Sequence, residues 1–167
     1  MKTLYFTCGV SFSGKSTLAK RIAEHKKAFL ISQDALWFEK EKEWNLQEDS
    51  DEDWSRIYKI AKERIGAELS KGHSVVFDDL SLKYADRESL RNIAKEHAAR
   101  AVLIYLDTPT AVREERRTKN MQTSERHQVK QEIVDWANKE MEIPSAQEHA
   151  IVFTPEMELG SWLRELP

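Results

Sequence analysis

The chain has 167 residues, 40% hydrophobic and 33% charged, which is one domain's length with enough apolar side chains for a packed core. A net charge of −3, with acids and bases interspersed, argues against a broad electrostatic grip on nucleic acid, and a single cysteine, Cys8, excludes an internal disulfide framework and a cysteine metal cluster. No apolar run reaches the roughly eighteen residues of a membrane span, and the apolar opening is too short for a signal peptide, so a soluble cytoplasmic protein with no membrane partner is expected.

In chain order, "TLYFTCGV" is β-branched and aromatic, and reads as a buried strand that stops at Gly9. From Lys15 to about Lys26, Leu18 and Ile22 recur at helical spacing. "AFLIS" reads as a second strand. Trp54, Ile57, Ile60, Ala61, Ile65 and Leu69 predict a long helix, capped by Ser50 or Asp51 and ended by Gly72. "HSVVFDD" is a third strand, "ADRESLRNIAKEHAAR" a helix, and "AVLIYLD" a continuously apolar fourth strand. Pro109 starts a further helix. "RRTKNMQTSERH" then shows no periodicity and predicts a lid at about 117–128. A helix over about Val129–Met141, a short strand "AIVFT" and a last helix around "MELGSWLREL" complete the chain. Strands alternating with helices predict a parallel sheet covered on both faces, in a single domain over 1–167.

Gly9 to Ser16 reads GxxxxGKS, the pattern of a phosphate-binding loop. Glycines let the backbone curl so that successive N–H groups converge, and the positive end of the following helix adds to that field. The candidate nucleotide-binding positions are Gly9, Ser11, Ser13, Gly14, Lys15, Ser16 and Thr17. Lys15 brings charge to the β- and γ-phosphates, and the Ser16 hydroxyl can ligate Mg²⁺. Phe12 stands where small residues are usual, so its ring must point away from the phosphates, beneath the loop or into an acceptor pocket.

A phosphate cradle needs carboxylates. Asp78 closes the apolar run of the third strand, as a Walker B acid does, and is the second candidate Mg²⁺ ligand; Asp79 lies further out. Asp34 stands just past the second strand, at the sheet rim where ligands of open α/β sheets bind. It could take the proton of an attacking hydroxyl; the competing reading is an N-cap for a helix at Ala35–Phe38. Arg116 and Arg117, where the lid would begin, are candidates to stabilise a phosphoryl transition state, with Arg126 on its far side. Trp37, Trp44, Trp54 and Phe38 read as core packing, with an aromatic acceptor wall as the alternative. No "NKxD" occurs, which favours ATP over GTP.

"CGVSFSGKST", "ISQDALW", "SVVFDDLSLKYADRESL" and "LIYLDTPTAVREERR", in this order, resemble the small P-loop kinases related to polynucleotide kinase, chloramphenicol phosphotransferase and the zeta toxins. The resemblance spans nearly the whole chain. It implies ATP-dependent phosphorylation of a hydroxyl with Mg²⁺, Lys15 and Ser16 on the phosphates, Asp34 as base, Asp78 as the Walker B acid and a lid arginine at Arg116 or Arg117. It also implies a P-loop NTPase fold with a five-stranded parallel sheet ordered 2-3-1-4-5. The chain departs from the polynucleotide kinase pattern after Asp34: "ALWFEKEKEW" replaces the basic residue that would hold an acceptor's phosphate. That turns the expectation from a polynucleotide 5′-hydroxyl towards a small molecule or nucleoside. A nucleotide-dependent regulatory switch with no acceptor is the reading from another class.

Overall fold

A computed structural model describes residues 1–48, 50–123 and 128–167. Five strands form one all-parallel sheet: β1 (Thr3–Cys8), β2 (Phe29–Ser32), β3 (Val75–Asp78), β4 (Arg100–Leu106) and β5 (Ile151–Phe153). Their order is β2-β3-β1-β4-β5, as the family resemblance implied. Along β1 the side chains alternate between two cores. Leu4, Phe6 and Cys8 join Ile57, Ile65 and Leu90 on one face, whereas Tyr5 joins Leu18, Ile22 and Trp162 on the other. Both faces are therefore covered, and β1 is buried along its whole length.

Seven helices flank the sheet: α1 (Lys15–Lys26), α2 (Gln33–Trp44), α3 (Asp51–Ser70), α4 (Tyr84–Glu96), α5 (Thr110–Thr123), α6 (Gln131–Glu140) and α7 (Leu159–Glu165), of which α5 and α6 give no side chain to these two cores. α1 and α7 pack on the Tyr5 face, α3 and α4 on the other. Ser50 caps α3, its hydroxyl accepting from the Asp53 N–H at 3.2 Å. Gly72, with φ 89°, follows the end of that helix.

Two elements differ from expectation. α2 runs twelve residues rather than one turn, and its N-cap is Ser32, whose hydroxyl accepts from Ala35 N–H at 3.4 Å. Asp34 thus lies in the first turn, where a carboxylate suits the helix dipole. α5 continues through Thr123, so Arg116 and Arg117 sit inside a helix and not at its end. Of its fourteen residues only Asn120 is buried, so no apolar stripe announces it. The rest of the expected lid, Ser124 to His127 with Arg126, lies outside the described residues.

Candidate active site

Parallel pairing brings the carboxyl ends of the strands to one rim. Ser32 on β2 is level with Asp78 on β3, and Cys8 on β1 is level with Tyr105 on β4. The loop from Gly9 to Gly14 rises from this rim and feeds α1. Gly14 is the N-cap of α1, with φ 100° and no side-chain cap, and no acid stands in the first turn. The helix therefore offers its first N–H groups to an anion. Glycine is required at both ends of the loop. A Cβ at Gly9 would meet Ser13 Oγ at 3.0 Å and the Leu106 carbonyl at 3.3 Å; one at Gly14 would meet Arg116 Nη1 at 3.1 Å.

The loop is fastened on both sides. Gly9 N–H donates to the Leu80 carbonyl at 3.1 Å, on the β3 side. On the β4 side, the Ser13 carbonyl accepts from Thr108 Oγ1 at 2.9 Å and from Arg116 Nη1 at 2.8 Å. Ser13 N–H donates to the Val10 carbonyl at 3.3 Å, and its buried hydroxyl has no hydrogen-bond partner among the described residues. Phe12, at the position where glycine is usual, adopts φ 63°. Phe12 lines a cavity with Thr17, Arg116 and Leu159.

Lys15 is buried, and its Nζ donates to the Val10 carbonyl at 2.8 Å. Burial lowers its pKa, opposed by the negative charges of Asp78, Asp34 and Asp79. The structure thus assembles on one ammonium the acids that the sequence placed at two separate strand ends. Asp79 is also buried. Its Oδ2 accepts from Ser81 N–H at 2.9 Å and Ser81 Oγ at 2.8 Å, while Thr7 Oγ1 donates to its carbonyl at 2.8 Å. Burial raises its carboxyl to about 6, against the lowering effect of the Ser81 bonds. Ser16, in the first turn of α1, and Asp78, at the end of β3, offer hard oxygen donors of the kind Mg²⁺ takes. Among the described residues, no group of three or more His, Cys, Asp or Glu forms a cation cage. Such a donor set fits an ion held chiefly by nucleotide phosphates.

The arginines separate by position. Arg113 ties α5 to its surroundings, donating to the Thr108 carbonyl, Thr110 Oγ1 and Asn138 Oδ1. Arg116 grips the loop through the Phe12 and Ser13 carbonyls. Arg117 is four-fifths buried, with Glu114 at 3.7 Å. The cavity beside Phe12, about 330 Å³, is lined by Phe12, Thr17, Arg116, Asn120, Phe153 and Leu159 among others. Sequence reasoning did not find this cavity, because its walls come from five separate segments of the chain. The aromatic cluster after Asp34 divides: Trp37 is 2% exposed and stacks on Trp54 with centroids 4.0 Å apart, Trp44 and Trp54 are partly buried against the same core, and Phe38 is exposed.

Sequence reasoning also passed over Arg87, whose guanidinium is 1% exposed on α4. It forms a two-pronged pair with Glu148, at 2.7 and 2.8 Å, and donates to the Ser81 and Leu82 carbonyls at 3.1 and 2.9 Å. It thereby holds the turn after β3 that carries Asp79 and receives Gly9.

Comparison with known proteins agrees with the fold. A kinase from Chloroflexus aurantiacus superposes with a TM-score of 0.78 at 16% identity, covering 98% of this chain and 95% of that one. A sugar kinase from Janibacter gives 0.72 at 21%, covering 98% and 91%. The APS kinase of Mycobacterium tuberculosis, in complex with AMPPNP and APS, gives 0.71 at 17%, covering 98% and 94%. No curated protein matches the chain. At these identities the likeness shows the fold, which is that of P-loop kinases. The AAA domain family (AAA_33) matches residues 4–144, and the chain belongs to that family.

Proposed function

We propose that this chain is an ATP-dependent phosphotransferase that moves the γ-phosphoryl group of ATP to a hydroxyl of an uncharged small molecule or nucleoside. The observation that carries the reading is the buried Lys15 ammonium, set in an uncapped helix start and surrounded by Asp78, Asp34 and Asp79. A buried cation costs several kcal/mol unless an anion compensates it. The carboxylates act on Lys15 by charge while its ammonium bonds to the Val10 carbonyl, which leaves N–H donors that a phosphate can take.

Each residue then has a task. Gly14, Lys15 and the following N–H groups bind the β- and γ-phosphates. Ser16 and Asp78 hold Mg²⁺, which neutralises charge on those oxygens when bound. Asp34 accepts the proton of the acceptor hydroxyl as its oxygen attacks the γ-phosphorus in line. Arg117 meets the charge spread over the equatorial oxygens. The cavity beside Phe12 and Arg116 seats the base. Among the described residues no carboxylate lines it, whereas guanine would need one for its N1–H and amino group, which supports ATP.

α2 alternates Glu39, Glu41 and Glu43 with Lys40 and Lys42, which gives the acceptor side no net positive surface. That disfavours a phosphorylated or polynucleotide acceptor, and similarity to a sugar kinase supports a neutral hydroxylated one. The test is ATP consumption with Mg²⁺ across sugars, nucleosides, aminoglycosides, phenicols and short oligonucleotides. One class should stimulate turnover. Asp34→Asn should then lose about 10²-fold or more of transfer while still binding ATP. Transfer at the parental rate in that variant would remove Asp34 as base. Slow hydrolysis indifferent to every acceptor would favour a nucleotide-dependent switch.

A further inference from the structure

The Ser13 carbonyl receives two donors from the β4–α5 side, Thr108 Oγ1 at 2.9 Å and Arg116 Nη1 at 2.8 Å. Both Thr108 and Ser13 are buried, at 8% and 3% exposure. Among the described residues every peptide bond is trans. In a trans peptide the carbonyl and the next N–H point in opposite directions. Holding the Ser13 oxygen outward therefore turns the Gly14 N–H inward, to the side where Lys15 meets Asp78, Asp34 and Asp79.

We infer that Thr108 is a positioning residue for phosphate binding: with Arg116 it locks the Ser13–Gly14 peptide so that the Gly14 N–H faces the anion before any ligand arrives. This rests on the reading of Gly9–Ser16 as a nucleotide-binding loop. Gly14 needs such a lock. Its φ of 100° lies where glycine moves freely, and Ser13's own N–H and hydroxyl reach neither Thr108 nor Arg116. Without Thr108, one donor from an exposed arginine would remain to set the plane. Preorganised donors bind an anion more tightly because no reorientation is left to do.

Calorimetric titration with Mg-ADP and with adenosine tests this. ADP engages the loop, whereas adenosine engages only the base cavity. Thr108→Val removes the donor at nearly constant shape and should weaken ADP by about 3–10-fold, the worth of one hydrogen bond. Adenosine affinity should be unchanged, and Thr108→Ser should restore ADP binding. If the valine variant does not fold, Thr108→Ala makes the same test. Equal ADP affinity in wild type and variant overturns the inference and leaves the loop's function standing. Parallel loss towards both ligands also overturns it, because Thr108 would then be structural only. A wild-type chain that binds no ADP would instead remove the loop reading itself.

Discussion

Two buried cations flank Cys8, and the fold treats them in opposite ways. Arg87 spends its donors on Glu148, on two carbonyls and on Cys8 Sγ at 3.9 Å. Lys15 is also buried, yet its ammonium donates to the Val10 carbonyl of its own loop, with three carboxylates near enough to act on it by charge. A buried charge with every donor matched ties elements together. One held among like-minded acids at a mouth of N–H groups is kept ready for something that arrives. Burial alone does not separate structural from functional charge; the completeness of the pairing does.

The largest expected effect breaks the contrast at its functional end. Lys15→Ala should reduce phosphoryl transfer by about 10²–10³-fold, the scale of losing one preorganised electrostatic contact. The melting temperature of the nucleotide-free protein should change little, because relief of a desolvated charge offsets the lost attraction to Asp78, Asp34 and Asp79. A fall of several degrees would put Lys15 in the same structural class as Arg87.

Arg87→Met should do the reverse. It leaves the Glu148 carboxylate, whose side chain is 4% exposed, to Arg91 and the Ser145 N–H alone, and should cost about 3 kcal/mol in urea unfolding. Arg87→Met with Glu148→Leu should recover most of that, since the loss comes from an under-paired buried charge. A double variant no better than the single would show that the contacts to the Ser81 and Leu82 carbonyls matter more than the ion pair.

Acid titration sharpens the same comparison. Hydrogen bonds from Arg87, and then from Arg91, hold the Glu148 carboxyl down at about 2, below its ordinary 4.5, although burial opposes them. A depressed carboxylate stabilises the fold fully above its unfolded value, and the contribution disappears as pH falls through the folded one. Unfolding free energy should therefore drop between those two values by on the order of 3 kcal/mol more in the wild type than in the double variant. Parallel pH curves for the two proteins would count against the pairing.

What the sequence disclosed follows from range. The strands, their parallel arrangement and the GxxxxGKS loop were legible because each is a local pattern of apolar runs or glycine spacing. α5 was legible only at its start, since a helix burying one polar residue has no period to read. The extent of α2 was hidden for a similar reason, its outer half being alternating glutamate and lysine. The Arg87–Glu148 pair spans 61 positions and the Arg116 grip on Ser13 spans 103, and nothing in one sequence couples residues so far apart. Asp34 and Asp78 were found by their places at strand ends. That Asp79 also acts on Lys15 depended on how the turn after β3 folds back, with Thr7 holding the Asp79 carbonyl.

The smallest expected effect concerns the thiol between the two cations. A cysteine beside arginine and lysine would ordinarily be driven towards thiolate. Cys8 instead has its pKa raised to about 11, because burial outweighs the lowering influence of Arg87 and Lys15. The physical reason is the contrast already drawn. The Arg87 charge is neutralised by Glu148 and the Lys15 charge is opposed by the acids of the rim, so neither projects a strong field onto the sulfur. Iodoacetamide at about pH 8 should then leave Cys8 unmodified in the folded protein and label it rapidly in urea. Cys8→Ala should cost only about 1 kcal/mol, the loss of a small buried side chain. In the Lys15→Ala variant labelling should stay slow, since removing that cation takes away a lowering influence on the thiol. Fast labelling there would mean that Lys15 also seals the loop over β1, which would give it the structural part the comparison assigns to Arg87.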